Sequence, residues 1–263
     1  GGQGKHEGIH QVRIRSKNTV TNQSIPLIAP KEFIHSMRHG GYRSPASAMA
    51  ELVDNAIEAH ATLVDVTLTS GSDESPTVKV LDNGIGMTPT ILQRCLQFGG
   101  TTRFNSRNGL GRFGLGLPAS SLSYARRVNV YSWRRRTRVL SCHLDVDEVW
   151  QGATYIPELE KVKYPNDVVP YDTGTLVVWE KCDGLNLTRL RYVLGRIRLE
   201  LGRRFRNFIW DGVEIRVNGE AVTPIDPLLR SKDSSGVSSA MYGPEIRLSV
   251  RNQTGTGNKY TGD

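Results

Sequence analysis

Two pairs of β-branched runs, each pair joined by a short polar connection, restrict this chain more than any other feature. "LVDVTLT" and "TVKVLD" flank the turn-forming "SGSDESP", while "RVNVYSW" and "RVLSCHLDV" flank an arginine-rich tip. Runs so joined pair as antiparallel hairpins. "GTLVVWEK" supplies another strand, and "VEIRVNGEAVTP" closes as a hairpin with Asn218-Gly219 at its turn. Helical patterns interleave with these strands. "APKEFIHSMRHGG" reads as a short helix stopped by Gly40-Gly41. "SPASAMAELVDNAIEAHA" opens with Ser44 as N-cap and Pro45 at the first helical position, and Met49, Leu52, Val53, Ala56 and Ile57 repeat at helical spacing. Further helices are expected in "TPTILQRCLQF", in "LPASSLSYA", and over residues 188–210, where Leu190, Val193, Leu194, Ile197, Leu201 and Phe205 form an apolar stripe. Hairpins this frequent argue for an α+β fold, a mixed and mostly antiparallel sheet covered on one face by helices, over a wholly parallel doubly wound sheet.

The formal net charge of +8 favours an anionic partner such as nucleic acid or an acidic protein. No apolar run approaches the roughly 18–20 residues of a membrane span, so no membrane partner is expected. Cys95, Cys142 and Cys182 form no C-x-x-C, and the histidines fall outside metal-ligand spacings. A reducing compartment follows, cytoplasmic or, in a eukaryote, nuclear. Residues 1–25 are polar and aperiodic and read as a tail or strap. Residues 26–225 carry the periodic elements, and 226–263, rich in Ser and Gly from Ser231 on, read as a linker or the start of another module.

"GLGRFGLGLPAS", residues 109–120, contains G-x-G-x-x-G at Gly109, Gly111 and Gly114. A dinucleotide site would need a strand directly before these glycines and a carboxylate about 20 residues later. Neither occurs. A protein kinase would need its strand lysine, H-R-D and D-F-G, which are also absent. Closely spaced glycines let backbone amides converge on an anion, and a helix starting near Leu117 would aim its positive end there. On this ground alone the loop is either an anion site or a flexible surface loop.

Three neighbours bear on that choice. Glu51 and Asn55, four residues apart, share the polar face of their helix. "DNGIGM", residues 82–87, bends over two glycines after a strand that ends in Asp82. Gly174-Thr175 opens a late strand. In this order, over about residues 30–220, E-x-x-x-N, D-x-G-x-G-M, a glycine-rich lid and G-T resemble the Bergerat-fold (GHKL) ATPases, the superfamily of gyrase B, the large heat-shock chaperones, sensor histidine kinases and MutL. "FGGTTRFNSRNGLGRFGLGLPASSLS" resembles the microrchidia-type and chaperone-like branch.

The resemblance implies a Bergerat-fold α/β sandwich with a long ATP lid, and ATP and Mg²⁺ as ligands. It implies that Asp82 accepts from the adenine amine, that Gly84 and Gly86 let the backbone approach the base, that Met87 packs on it and that Thr175 completes the contact. Asn55 would offer its carbonyl oxygen to Mg²⁺, and Glu51 would orient and deprotonate the attacking water. Gly109, Leu110, Gly111, Arg112, Phe113, Gly114, Leu115 and Gly116 would close over the phosphates, with Thr102 and Arg103 standing where many relatives have Ser/Thr-Ser-Lys. A carboxylate at position 51 favours hydrolysis over transfer to a protein histidine. The family's transducer lysine or arginine has no clear counterpart before Asp263.

Lid closure in this superfamily commonly drives two N-terminal modules together, so an ATP-dependent homodimer clamp is the expectation. Its client is nucleic acid, a protein in a chaperone-like mode, or none, if the module is a non-hydrolysing switch. Arg134, Arg135, Arg136 and Arg138 cluster in one hairpin and form the candidate nucleic-acid contact. Arg189, Arg196 and Arg203 recur every seven residues, either as a second phosphate track or as a solvated face paired with Glu200 and Asp211.

Overall fold

The computed structural model describes residues 28–70, 75–100, 115–135, 138–154, 156–164, 171–186 and 190–226. In chain order these form α1 (Pro30–Gly40), α2 (Pro45–Glu58), β1 (Leu63–Ser70), β2 (Pro76–Asp82), α3 (Pro89–Arg94), α4 (Gly116–Leu122), β3 (Arg127–Trp133), β4 (Val139–Asp145), α5 (Val146–Trp150), β5 (Glu160–Val162), β6 (Gly174–Glu180), α6 (Leu190–Arg204), α7 (Arg206–Trp210), β7 (Glu214–Val217) and β8 (Glu220–Ala221). The strands make one sheet in the order β5-β4-β3-β6-β2-β1-β7-β8. Every pairing is antiparallel except β1 with β7. The mixed, mostly antiparallel sheet expected from the hairpins is the observed one.

Side-chain alternation along the strands decides which face meets the helices. Val78 and Val80 of β2, Val128 and Val130 of β3, and Val177 and Trp179 of β6 join Met49, Leu52, Val53 and Ala56 of α2 and Ile197 and Leu201 of α6 in the main core. β6 lies at the centre and is buried on both faces, which is why "GTLVVW" is apolar without alternation. The opposite face carries a smaller cluster of Trp133, Val139, Leu176 and Val178, beside Tyr131 and Tyr164. There the Trp133 indole donates to the Tyr171 carbonyl at 3.0 Å.

Local chemistry accounts for the element ends. Ser44 accepts from the Ser47 amide at 3.1 Å, and Ser47 returns the contact to the Ser44 amide, so α2 begins with a reciprocal capping box. Asn218 and Gly219 both have positive φ, as a tight hairpin turn requires, and the Asn218 side chain bonds both the amide and the carbonyl of Leu68. The helix expected over 188–210 is two helices, because Phe205 leaves helical geometry at φ −103°, ψ 13° and buries its ring. Helix α3 stops at Arg94, short of the expected Phe98, and continues as turns. Helix α5 was not expected; its signal is Asp145, which caps the Asp147 amide at 2.8 Å. Cys95 and Cys142, remote in sequence, bring their sulfurs to 3.8 Å as free thiols. No described helix is long and apolar enough to cross a membrane.

Candidate active site

A cleft of about 280 Å³ opens between the sheet end and the helices, lined by Glu51, Asn55, Asp82, Gly86, Met87, Gly116 and Thr175 among others. Strand register builds its floor. Asp82 of β2 pairs with Thr175 of β6, which pairs in turn with Ser132 of β3. All three lie on the face whose neighbouring positions carry core valines, so three polar side chains stand in a row where the apolar layer ends. Ser132 Oγ accepts from the Met87 amide at 2.8 Å and lies 3.1 Å from both the Gly174 carbonyl and Thr175 Oγ1.

Asp82 is only 6% exposed. Burial pushes its carboxyl up to about 7, against the opposing effect of the Gly84 and Thr175 amides that donate to it. The Gly84 amide is 2.8 Å from Asp82 Oδ1. Adjacent glycines are needed for close backbone approach rather than flexibility alone. A Cβ on Gly174 would sit 2.2 Å from the Asp82 carbonyl, and one on Gly86, whose φ is +67°, would sit 2.2 Å from the Trp133 carbonyl. Gly84 approaches Ala59 in the same way. Gly86→Ala combines a disfavoured φ with a backbone clash and is expected to cost about 2–3 kcal/mol or more of stability. Urea denaturation measures this; an unchanged midpoint would contradict the strained geometry.

Helix α2 forms the wall over this floor. Glu51 Oε1 accepts from Arg204 Nη2 of α6 at 3.0 Å, and the same nitrogen bonds Asp54. Tyr42 stands near Glu51; burial and then the Glu51 charge push its ionisation up to about 12, so its phenol stays protonated at neutral pH. Glu51 Oε2 faces Gly116, where a Cβ would lie 3.1 Å away. Burial raises Asp54 to about 6, Arg204 opposing and Glu51 reinforcing the shift.

Residues 42–175, just over half of the chain, match the family described as histidine kinase-, DNA gyrase B- and HSP90-like ATPases. The chain belongs to this family. Among relatives of this ATPase domain, the Protein MICRORCHIDIA 6 of Arabidopsis thaliana is 28% identical over 139 residues, 51% of this chain and 20% of that protein. The ATPase MORC2B of Mus musculus is 33% identical over 98 residues, 36% and 9% of the two chains. The DNA mismatch repair protein MutL of Chlorobium chlorochromatii (strain CaD3) is 30% identical over 117 residues, 44% and 18%. The match spans a fifth or less of each of these relatives.

Within this ATPase domain the cleft gathers Glu51, Asn55, Asp82, Gly86, Met87, Gly116 and Thr175; Gly84 braces the Asp82 turn from behind. Leu115 is exposed and precedes α4. Thr102, Arg103, Gly109, Leu110, Gly111, Arg112, Phe113, Gly114 and Arg136 lie outside the described residues. Arg134, Arg135 and Arg138 are exposed at the β3–β4 connection, which begins two residues after Ser132. Ser132, Tyr42 and Arg204 are site residues that motif reading missed. Only Ser132 left a trace: a hydroxyl at a core-facing position of "RVNVYSW". Arg189 lies outside the described residues, and among the described residues no arginine of α6 forms an ion pair with Glu200 or Asp211. Arg198 pairs with Glu220 and Arg204 with Glu51 and Asp54, while Arg196 and Arg203 remain exposed.

Proposed function

We propose that this chain is an Mg²⁺-dependent ATP hydrolase module whose closure over ATP brings two copies together on nucleic acid. The observation that carries the reading is the arrangement of the cleft: a buried acceptor, Asp82, at one end and a carboxylate, Glu51, at the other, with Asn55 one helical turn from Glu51. Asp82 offers a carboxylate to the exocyclic amine of adenine and would repel the carbonyl that guanine presents there. Ser132 and Thr175 supply hydroxyls at the same level, and exposed Ile85 and Ile91 offer apolar surface at the rim for the faces of a base.

At the far end, Asn55 fits Mg²⁺ as a single hard oxygen ligand. Among the described residues no group of three His, Cys, Asp or Glu side chains could hold a metal unaided. Such a site suits an ion that retains several waters and is shared with phosphate oxygens. When bound, the ion would neutralise phosphate charge. Glu51 Oε2, directed toward Gly116, would hold and deprotonate a water. Leu115, Gly116 and the glycines before them would enclose the phosphates with backbone amides.

Nucleic acid is the client that the charge favours. Arg134, Arg135 and Arg138 are exposed, and among the described residues none of them forms an ion pair. A MutL relative is a DNA mismatch repair protein by name. Replacing the three arginines with Ser is expected to weaken duplex DNA binding at least tenfold. It should also flatten the slope of log affinity against log salt by roughly 2.7, the value for three phosphate contacts. Fluorescence anisotropy across a salt series reads both effects. Unchanged affinity and slope would sink the nucleic-acid reading and move the clamp to a protein client. Sedimentation with and without a non-hydrolysable ATP analogue tests the ATP-dependent dimer; a monomer in both would remove it.

A further inference from the structure

We propose that Arg204 is the positioning residue for Glu51: it fixes one carboxylate oxygen and leaves the other directed at the entry to α4. This rests on Glu51 being the base of the proposed hydrolysis, and it adds a residue that no motif of the family reading named.

Helix α2 creates the problem that Arg204 solves. Glu51 and Asp54 are three residues apart and therefore neighbours on one helix face, with Glu58 a turn further on. Asp54 is 6% exposed, so its charge is poorly hydrated and repels Glu51 through protein rather than water. The long Glu51 side chain, untethered at Oε1, would turn into solvent whether or not Asp54 carries its charge. Arg204 Nη2 contacts both carboxylates, reaching Glu51 Oε1 at 3.0 Å. Among the described residues no other cation touches either group.

The guanidinium is itself held. It ends α6, where exposed carbonyls favour a cation, and lies 5.7 Å from the ring centre of the buried Phe205. With Oε1 tied to Arg204, Oε2 faces Gly116, the first residue of the helix that follows the glycine loop. A fixed oxygen and a free one are what a water-activating carboxylate requires, because its aim depends on the atom that does not react. An ion pair that merely braced α6 against α2 would need Asp54 alone. The shared nitrogen extends the brace to the reacting group.

The test compares steady-state kinetics and nucleotide affinity for wild type, Glu51→Ala, Arg204→Gln and the double variant Arg204→Gln/Asp54→Asn. Arg204→Gln should lower kcat about 10- to 100-fold while ATP affinity stays within about threefold, since a residue acting on the reacting group alone alters kcat without altering binding. The double variant removes the buried carboxylate that Arg204 neutralises and should recover stability, keeping the test open if the single variant does not fold. A positioning role requires kcat to remain low in the double variant; a structural brace requires it to return with stability. Restored kcat in the double variant, or unchanged or raised kcat in Arg204→Gln, would overturn the proposal and leave the hydrolase reading standing. Absence of phosphate release by the wild type would instead remove the hydrolase reading, and equal measurable release by wild type and Glu51→Ala would remove Glu51 as the base; this proposal falls in either case.

Discussion

Asp82→Asn is expected to weaken ATP binding about 10- to 100-fold, the loss of a charge-assisted hydrogen bond of roughly 1.5–3 kcal/mol. The substitution keeps the shape of a buried side chain and changes its chemistry. A carboxylate accepts on both oxygens, whereas an amide must place either its oxygen or its NH₂ toward the adenine amine. The Gly84 amide already occupies Oδ1 at 2.8 Å, so the amide oxygen is drawn to Gly84 and the NH₂ is left facing another donor. Discrimination against GTP should fall in the same variant, because the group that repels a guanine carbonyl is gone.

The ionisation of Asp82 adds a second signature. Its carboxyl is raised to about 7 by burial, so it binds a proton more tightly in the folded chain than in the unfolded one. The stability this contributes is present below the ordinary carboxylate range near 3.8 and is lost as pH rises through about 7. ATP binding has the opposite slope, because the ionised form is the acceptor. Affinity should be roughly tenfold weaker at pH 6 than at pH 8, the ratio of ionised fractions for a group titrating near 7. Calorimetry at constant Mg²⁺ measures this slope, and Asp82→Asn separates it from titration of the nucleotide. A wild-type slope no steeper than that of Asp82→Asn would remove Asp82 from the binding step.

Glu51→Gln carries the other large effect. Loss of a positioned general base costs about 10²- to 10⁴-fold in rate. Nucleotide affinity should change by no more than about threefold, since Glu51 acts on water and not on the ground-state nucleotide. Gln keeps the length needed to reach Arg204, so the wall of the cleft is preserved while the proton acceptor is lost. Turnover near the wild-type rate in Glu51→Gln would mean that another group takes the proton.

The parts of this site legible in the sequence are those whose role is local. Glu51 and Asn55 declare themselves by helical spacing, and Asp82 by ending a strand before a glycine turn. The sheet was legible from its hairpins, because adjacent β-branched runs have few ways to pair. Residues whose role comes from tertiary register were not legible. Ser132 meets Thr175 across 43 residues of chain, through two strands whose pairing no local pattern specifies. Arg204 reaches Glu51 across 153 residues, and no local pattern sets it apart from the other arginines of its helix. The glycines illustrate a subtler limit. Gly86 was read as making room for a ligand, yet its nearest constraint is the Trp133 carbonyl, and Gly84 is tight against Ala59. Phe205 is buried as the stripe predicts, yet its backbone leaves helical geometry and ends α6 at Arg204, a break that side-chain periodicity does not report.

The most direct measurement is Mg²⁺-dependent phosphate release from ATP by the wild-type protein, followed as ATP is titrated, with GTP as a competitor. The account predicts release that saturates with ATP, stops when Mg²⁺ is chelated and is indifferent to equimolar GTP. Tight ATP binding without release would contradict the hydrolase assignment and leave a nucleotide switch. Equal turnover of GTP would contradict the placement of adenine against Asp82.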